Sequence, residues 1–274
     1  MILVTGADGY VGASIVKKLN DQKVKSLLIM RKTPQRIKVN KKLNKVLFIP
    51  DFFNLNVKDF QEIIGDCDCI YHPLWYANPK NYLNSEKNFD SMNATIKLAI
   101  AAKKKKLKYF IGFGSCLEYK KSDDIKTINS ELTAHSIYGL SKAVTFLTLN
   151  NYFKDSDTKF LWCRLFNIFG GLESKFRLSP TIFEAIKKKQ KCTINNPDQI
   201  RDFMHIDEVV KNIFLLVDNK FEGAANICTG QPTKISEFVH KIIGDEEKFK
   251  LIDFINKEVP DFHQNYLVGQ PSKI

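Results

Sequence analysis

Three side chains in the middle of the chain carry the groups needed to transfer a proton to a carbonyl oxygen. Ser115 has a hydroxyl, Tyr138 a phenol and Lys142 an amine. Tyr138 and Lys142 are four residues apart, so they are expected on one face of a helix. Because an ammonium beside a phenol favours the phenolate, we expect Lys142 to lower the pKa of Tyr138. Such a phenol can exchange a proton with a substrate oxygen while hydride moves to or from the attached carbon.

A glycine-rich turn near the amino terminus is suited to holding phosphates. Glycines at positions 6, 9 and 12 follow the apolar run Ile2–Val4 and open a helical pattern whose apolar face includes Val11 and Ile15. Glycine permits a tight turn and close approach of backbone to a pyrophosphate, and a helix N-terminus attracts anions. The alternative is a turn that binds no ligand. We predict that the cofactor contacts here are Gly6, Asp8, Gly9, Tyr10, Val11 and Gly12.

The end of the second apolar run indicates which dinucleotide is bound. The run Ser26–Met30 leads into Arg31 and Lys32, and no acidic residue occurs between Gln22 and Pro50. An acidic residue here would hold the ribose 2′-hydroxyl of NAD, whereas an arginine accommodates the 2′-phosphate of NADP. We therefore favour NADP(H), with Arg31 as the main contact and Lys32 as a second, while NAD(H) stays possible. A solvated basic loop is the alternative interpretation.

The elements that position these groups alternate between apolar strands and amphipathic helices. This alternation predicts an α/β fold, a Rossmann-like doubly wound parallel sheet with a smaller C-terminal substrate-binding lobe. We place the dinucleotide-binding domain at 1–166 and the lobe at 167–274, with about 205–220 returning to the main body. Ser115 follows the strand Tyr109–Phe113, and ligands collect beyond the carboxyl ends of such strands.

Together these segments resemble the extended short-chain dehydrogenases/reductases, in particular the NAD(P)-dependent nucleotide-sugar epimerase, dehydratase and reductase group. The resemblance covers nearly the whole chain. Beyond the glycine turn and the Tyr–Lys pair, it rests on the runs at 114–119 (GSCLEY), 164–170 (RLFNIFG), 201–207 (RDFMHID) and 271–273 (PSK).

The resemblance implies roles for further residues. It makes Ser115, Tyr138 and Lys142 the catalytic group, with Tyr138 and Lys142 also contacting the cofactor. It places Asp51 at the adenine and adds three more cofactor contacts, Phe52, Pro73 and Leu74. The substrate, a nucleotide-diphosphate sugar, would be bound by Ser115, Cys116, Asn167, Arg177 and Arg201, with Arg201 at the diphosphate.

Departures from the family pattern reduce the number of reactions that this site could carry out. Cys116 and Leu117 stand where 4,6-dehydratases carry an Asp–Glu pair, which argues against dehydration. The segment 72–76 (HPLWY) replaces a run of small residues beside the nicotinamide. A 4-reductase, a 4-epimerase and a 3,5-epimerase-reductase using Cys116 and His135 remain open. We favour reduction of a 4-keto-6-deoxyhexose by NADPH, with Tyr138 as proton donor; a non-catalytic dinucleotide sensor or scaffold is the non-enzyme alternative.

Composition limits the classes of partner. The formal net charge is +12, but the densest basic run, 103–106, closes a predicted helix, where cations suit the dipole. We therefore predict no nucleic-acid partner. No metal site is expected from the cysteine and histidine spacing.

Unpaired cysteines, no signal peptide and no membrane-spanning run favour the cytoplasm. By resemblance, the protein would form a homodimer through two helices and would serve deoxysugar and surface-polysaccharide biosynthesis.

Overall fold

The computed structural model describes residues 1–258 and 264–273. Its strands are β1 (Ile2–Thr5), β2 (Ser26–Met30), β3 (Asn44–Phe48), β4 (Cys69–His72), β5 (Tyr109–Ser115), β6 (Lys159–Leu165), β7 (Asn167–Phe169), β8 (Cys192–Asn195), β9 (Ile200–Arg201), β10 (Phe203–His205), β11 (Gly223–Ile227), β12 (Thr233–Lys234), β13 (Ile252–Ile255) and β14 (Tyr266–Leu267). Its helices are α1 (Tyr10–Asp21), α2 (Val57–Ile64), α3 (Lys87–Lys104), α4 (Ile137–Tyr152), α5 (Leu178–Lys187), α6 (Ile206–Asp218), α7 (Ile235–Ile243) and α8 (Glu246–Phe249).

The main sheet has seven parallel strands in the order β11-β6-β5-β4-β1-β2-β3. Every residue of β2 and β5 is buried, as expected for strands covered by helices on both faces. Helices α1 and α6 pack together on one face, and α2, α3 and α4 on the other. The predicted α/β fold with a doubly wound parallel sheet is therefore confirmed.

Strand order reverses between β1 and β4, and this reversal opens a crevice at the carboxyl ends of the strands. Just below it, the buried His72 imidazole joins β1, β4 and α3. Its Nδ1 lies 2.7 Å from Thr5 Oγ1 and its Nε2 lies 2.9 Å from Thr95 Oγ1. Burial, and to a lesser extent Lys142, lowers the pKa of His72 to about 3, so the ring is neutral at physiological pH.

The carboxyl-terminal part of the chain forms small sheets around α5 and α7. β7 pairs with β10, β8 with β13, and β9 lies between β12 and β14. A separate apolar cluster made of Ile182, Cys192, Ile194, Val239 and Ile252 fills this region. Helix α6 packs against α1 and β6 of the main body, and β11, just beyond the segment 205–220, is the seventh strand of the main sheet.

Candidate active site

One cleft of about 1110 Å³ lies across the crevice and brings most of the predicted site residues together. Its lining includes the predicted residues Gly6, Asp8, Gly9, Tyr10, Val11, Gly12, Arg31, Lys32, Phe52, Pro73, Leu74, Ser115, Cys116, Tyr138, Lys142, Asn167, Arg177 and Arg201. Asp51 is the exception. It is exposed outside the lining because a 3-10 turn, Phe52–Asn54, begins directly after it and directs Phe52 inward instead.

The glycine turn has the geometry of a phosphate cradle. Gly6 has φ +57°, a conformation that favours glycine, and a Cβ on Gly12 would lie 2.2 Å from the Gly6 carbonyl oxygen. Gly9 precedes α1 in extended conformation, and no side chain of the described residues caps the helix. The first turn of α1 carries no acidic residue. Its free N–H groups and positive dipole end therefore suit the pyrophosphate of a dinucleotide.

Asp8 uses its side chain for a neighbouring loop in this structure. Its Oδ1 accepts hydrogen bonds from the backbone N–H groups of Gln35, Arg36 and Ile37, at 3.0, 2.7 and 3.3 Å. Arg36 in turn donates from Nη1 to the Asp8 carbonyl, at 3.3 Å. Arg36 and Gln35 line the cleft beside Arg31. The sequence analysis missed Arg36, although it is a cation in the same acid-free stretch as Arg31.

Tyr138 and Ser115 meet at the centre of the cleft. Ser115 ends β5, is 8% exposed and begins a 3-10 turn. Tyr138 lies in the first turn of α4, whose N-cap Ser136 accepts a hydrogen bond from Gly139 N–H. Burial raises the pKa of Tyr138, and a hydrogen bond with Ser115 opposes the rise only in part. The predicted lowering of this pKa by Lys142 is therefore wrong: the phenol is neutral.

Lys142 is buried on the same helix face but reaches past the phenol. Its Nζ donates a hydrogen bond to the Phe113 carbonyl, and it lies 3.7 Å from the centroid of the Trp75 ring. The centroid of the Tyr138 ring is farther away, at 5.9 Å. Burial lowers the pKa of Lys142 to about 7, and Glu118 opposes this shift.

A buried ion pair supports the turn that carries Ser115. Glu118 Oε2 accepts from Arg164 Nε at 2.7 Å, and both side chains are fully buried. Glu118 Oε1 accepts from the backbone N–H of Ser115 at 2.8 Å and from Trp162 Nε1 at 3.0 Å. Arg164 also donates to the Tyr119 hydroxyl at 3.0 Å. The sequence analysis did not assign Glu118 a role, because Trp162 and Arg164 lie on β6, more than 40 residues further along the chain.

The opposite wall of the cleft comes from the carboxyl-terminal part of the chain. Arg201 is held by the Gln199 side chain and by the carbonyl groups of Ile200, Gln264 and Asn265, at 2.6–3.2 Å. Asn167 donates from Nδ2 to the Asp202 carbonyl at 3.3 Å. The Arg177 Nε lies 3.8 Å from Glu173 Oε1. Both guanidinium groups line the cleft.

Aromatic residues after β4 cover the Tyr138 side of the cleft. The Tyr82 ring meets the Tyr138 ring edge to face at a centroid distance of 5.0 Å, and the Trp75 ring does so at 6.5 Å. The sequence identified this segment as unusual but did not place Trp75 or Tyr82 in the site. Their rings reach Tyr138 only because β4 and β5 are neighbours in the sheet.

Within residues 1–258 and 264–273, no group of three or more His, Cys, Asp or Glu residues is placed to hold a metal ion. In the same residues, no helix combines the length and apolar character needed to cross a membrane.

The chain is similar in sequence to known enzymes that act on nucleotide sugars. The chain is 24% identical over 264 residues to dTDP-6-deoxy-L-talose 4-dehydrogenase (NAD(+)) of Aggregatibacter actinomycetemcomitans, a match that covers 89% of this chain and 90% of the relative. It is also 24% identical over 269 residues to ADP-L-glycero-D-manno-heptose-6-epimerase of Brachyspira hyodysenteriae, covering 93% of this chain and 84% of that protein.

Solved structures share the fold across almost the whole chain. UDP-N-acetylglucosamine 4-epimerase from Methanobrevibacter ruminantium, in complex with UDP-N-acetylmuramic acid, matches with a TM-score of 0.87 at 21% identity, covering 99% of this chain and 89% of that one. UDP-glucose 4-epimerase of Thermus thermophilus, in complex with NAD, matches with a TM-score of 0.80 at 16% identity, covering 98% and 90%. The model of the NAD dependent epimerase/dehydratase family matches residues 2–228. The chain therefore belongs to the NAD dependent epimerase/dehydratase family.

Proposed function

We propose that this protein reduces the 4-keto group of a nucleotide-activated 4-keto-6-deoxyhexose, using NADPH. When bound, NADPH would supply the hydride that reduces C4. Tyr138 donates the proton to the oxygen on C4, and the Ser115 hydroxyl hydrogen-bonds the same oxygen. Lys142 holds the cofactor ribose. The name of the Aggregatibacter relative supports the choice of reaction, because a 4-dehydrogenase of a dTDP-6-deoxyhexose runs the reverse of such a reduction; the cofactor in that name is NAD(+).

The position of the Tyr138 phenol beside Ser115 in the cleft is the observation that carries the proposal. A reductase needs a proton donor at the start of its reaction, and a neutral phenol is one. Burial raises the pKa of Tyr138, so the phenol holds its proton at neutral pH. A 4-epimerase first oxidises its substrate and therefore needs a proton acceptor in the same place. A proton donor at this position is what the reduction requires.

Cys116 argues against a second acid–base centre. Burial raises the pKa of its thiol to about 12, so the thiol does not act as a base at neutral pH. A 3,5-epimerisation needs a base that removes a proton from carbon, and the Cys116 thiol does not supply one. Dehydration is opposed by the same thiol and by the apolar Leu117 beside it.

Two arginines are suited to the diphosphate of the substrate. Arg201 is oriented by four oxygen acceptors, and Arg177 also lines the cleft. Among the described residues, the four acceptors engage Nη1 and Nη2 of Arg201, which leaves its Nε–H to donate to a phosphate oxygen, and hydrogen bonds to charged groups are stronger than neutral ones. Asn167 and Cys116 would contact the sugar nucleotide between these arginines and Tyr138.

The proposal is tested by measuring NADPH oxidation with CDP-, dTDP-, GDP- and UDP-4-keto-6-deoxyhexoses. We expect stoichiometric NADPH consumption with one of these nucleotides and a single product configuration at C4 by NMR. Arg201→Ala should raise KM for that sugar nucleotide about tenfold or more, since it removes a charged phosphate contact. Conversion of a sugar nucleotide without net cofactor consumption would show an epimerase instead.

Three cations support the choice of NADPH. Arg31, Lys32 and Arg36 line the cleft beyond the glycine turn, where the 2′-phosphate of the adenosine ribose would lie. Asp8 holds the Arg36 loop against this turn through three backbone hydrogen bonds. The carboxylate of Asp8 is thereby engaged, so it is not free to select the 2′-hydroxyl of NAD.

Arg31→Ala is expected to lower the ratio of kcat/KM with NADPH to that with NADH by about ten- to a hundredfold. The lost contact is a charge-assisted hydrogen bond to phosphate, which contributes about 1.5–3 kcal/mol. Lys38→Ala is the matched control, because Lys38 is exposed in the same stretch and does not line the cleft. A wild-type protein that prefers NADH would contradict the assignment.

A homodimer is the proposed assembly. Helix α4 exposes Leu140, Val144 and Leu147, which recur at helical spacing on one face, and the neighbouring α3 exposes Phe89. Association of two copies through α3 and α4 would bury these side chains.

The six cysteines are free thiols, in keeping with the cytoplasm as the proposed location.

A further inference from the structure

Trp75 is fixed at the cleft by a buried anchor on α3. Its indole Nε1 donates to Asn88 Oδ1 at 2.9 Å. Asn88 is fully buried and donates from Nδ2 to the carbonyl groups of Tyr82 and Ser85, at 2.7 and 2.8 Å. The segment that follows β4 is therefore tied to α3 at both ends of its course over the cleft. This arrangement gives the indole a defined orientation.

The face of that indole lies against the Lys142 ammonium. The Nζ-to-centroid distance is 3.7 Å, compared with 5.6 Å to Trp162 and 5.9 Å to Tyr138. Apart from the Phe113 carbonyl, the surroundings are largely apolar, and Lys142 is 3% exposed. An ammonium over an indole face is attracted by the ring quadrupole, more strongly when water is excluded.

We propose that Trp75 is a positioning residue for Lys142: its indole face holds the ammonium at the base of the cleft and stabilises its charged form in the free enzyme. This inference deepens the proposed function, since it concerns the lysine assigned there to the cofactor ribose. A charged Lys142 donates three hydrogen bonds in fixed directions, whereas a neutral amine loses both the charge and one donor.

The charge of Lys142 also depends on the other titratable groups near it. From the turn after β5, Glu118 raises the pKa of Lys142; His72 on β4 and Tyr138 on α4 are neutral. Burial outweighs Glu118 and brings the pKa of Lys142 to about 7. Loss of the ring contact would therefore lower the charged fraction of Lys142 further.

Fluorine NMR of the tryptophan side chains tests the contact between Trp75 and Lys142 directly. The chain has two tryptophans, Trp75 and Trp162, so protein labelled with 5-fluorotryptophan should give two fluorine NMR signals, assigned with Trp75→Phe. We expect the Trp75 signal to change position with pH as Lys142 loses its charge, and to lose this pH dependence in Lys142→Met. A Trp75 signal at the same position in the native protein and in Lys142→Met, or one that still titrates in Lys142→Met, would overturn the proposal. No substrate or cofactor is needed, so this result is separate from the fate of the proposed function.

A kinetic test measures the consequence for the reaction. The pH profile of kcat/KM reports groups of the free enzyme, and its upper limb should move about one pH unit lower in Trp75→Leu. Trp75→Phe should move it less, because a phenyl ring keeps a cation–π face. Tyr152→Leu is the control: it removes the ring of another cation–π pair, with Lys103, outside the cleft, and should leave the limb in place. A folded Trp75→Leu protein with an unshifted limb would refute the proposal; if that variant does not fold, the NMR titration of the native protein decides.

Discussion

Tyr138→Phe is expected to lower kcat by about 10³-fold while leaving the dissociation constant for the cofactor unchanged. The substitution removes one oxygen atom, the proposed proton donor, and keeps the ring that packs against Tyr82 and Trp75. Cofactor affinity depends on the glycine turn and on Lys142, which remain. Stopped-flow measurement of NADPH oxidation and fluorescence titration of NADPH binding separate the two effects.

A matched control lies on the same helix. Tyr152 ends α4, outside the cleft, so Tyr152→Phe should turn over at the wild-type rate. The result also separates an enzyme from a dinucleotide-binding sensor. Wild-type turnover in Tyr138→Phe would exclude the phenol as the proton donor. Cofactor binding without turnover of any sugar nucleotide by the native protein would instead favour the sensor.

Glu118→Gln is expected to lower the free energy of unfolding by about 3–5 kcal/mol. The amide oxygen can still accept from Ser115 N–H and Trp162 Nε1, but the Arg164 guanidinium is left buried without a counter-charge. One Arg164 nitrogen, Nη2, already has no partner among the described residues, so the site has no spare acceptor. Urea denaturation followed by circular dichroism measures the change.

Two further variants test whether the loss of stability is specific to the buried Glu118–Arg164 pair. Glu131→Gln removes an exposed carboxylate paired with Lys120 and should leave the denaturation midpoint where it is, because solvent screens that pair. Glu118→Gln combined with Arg164→Met removes both charges and should recover part of the lost stability. Equal destabilisation by the Glu118 and Glu131 variants would show that the buried pair has no special role.

The fold was predictable because its signals are local. The apolar run Ser26–Met30 has the observed bounds of β2, since residues buried on both faces of a sheet must be apolar. The late strand β11 was not recognised. Its run, GAANI, carries few large apolar residues and joins the sheet only by pairing with β6, a strand far earlier in the chain.

The same distinction between local and distant signals applies to the candidate site. By itself the sequence determined the glycine turn and the pairing of Tyr138 with Lys142 on one helix, because each depends on residues close together in the chain. Only the tertiary structure decided that Tyr138 is neutral, that Trp75 covers Lys142, that Asp8 is engaged by the Arg36 loop and that Asp51 lies outside the cleft. Protonation and side-chain contacts depend on which distant segments exclude water from a group, and spacing along a chain does not specify that.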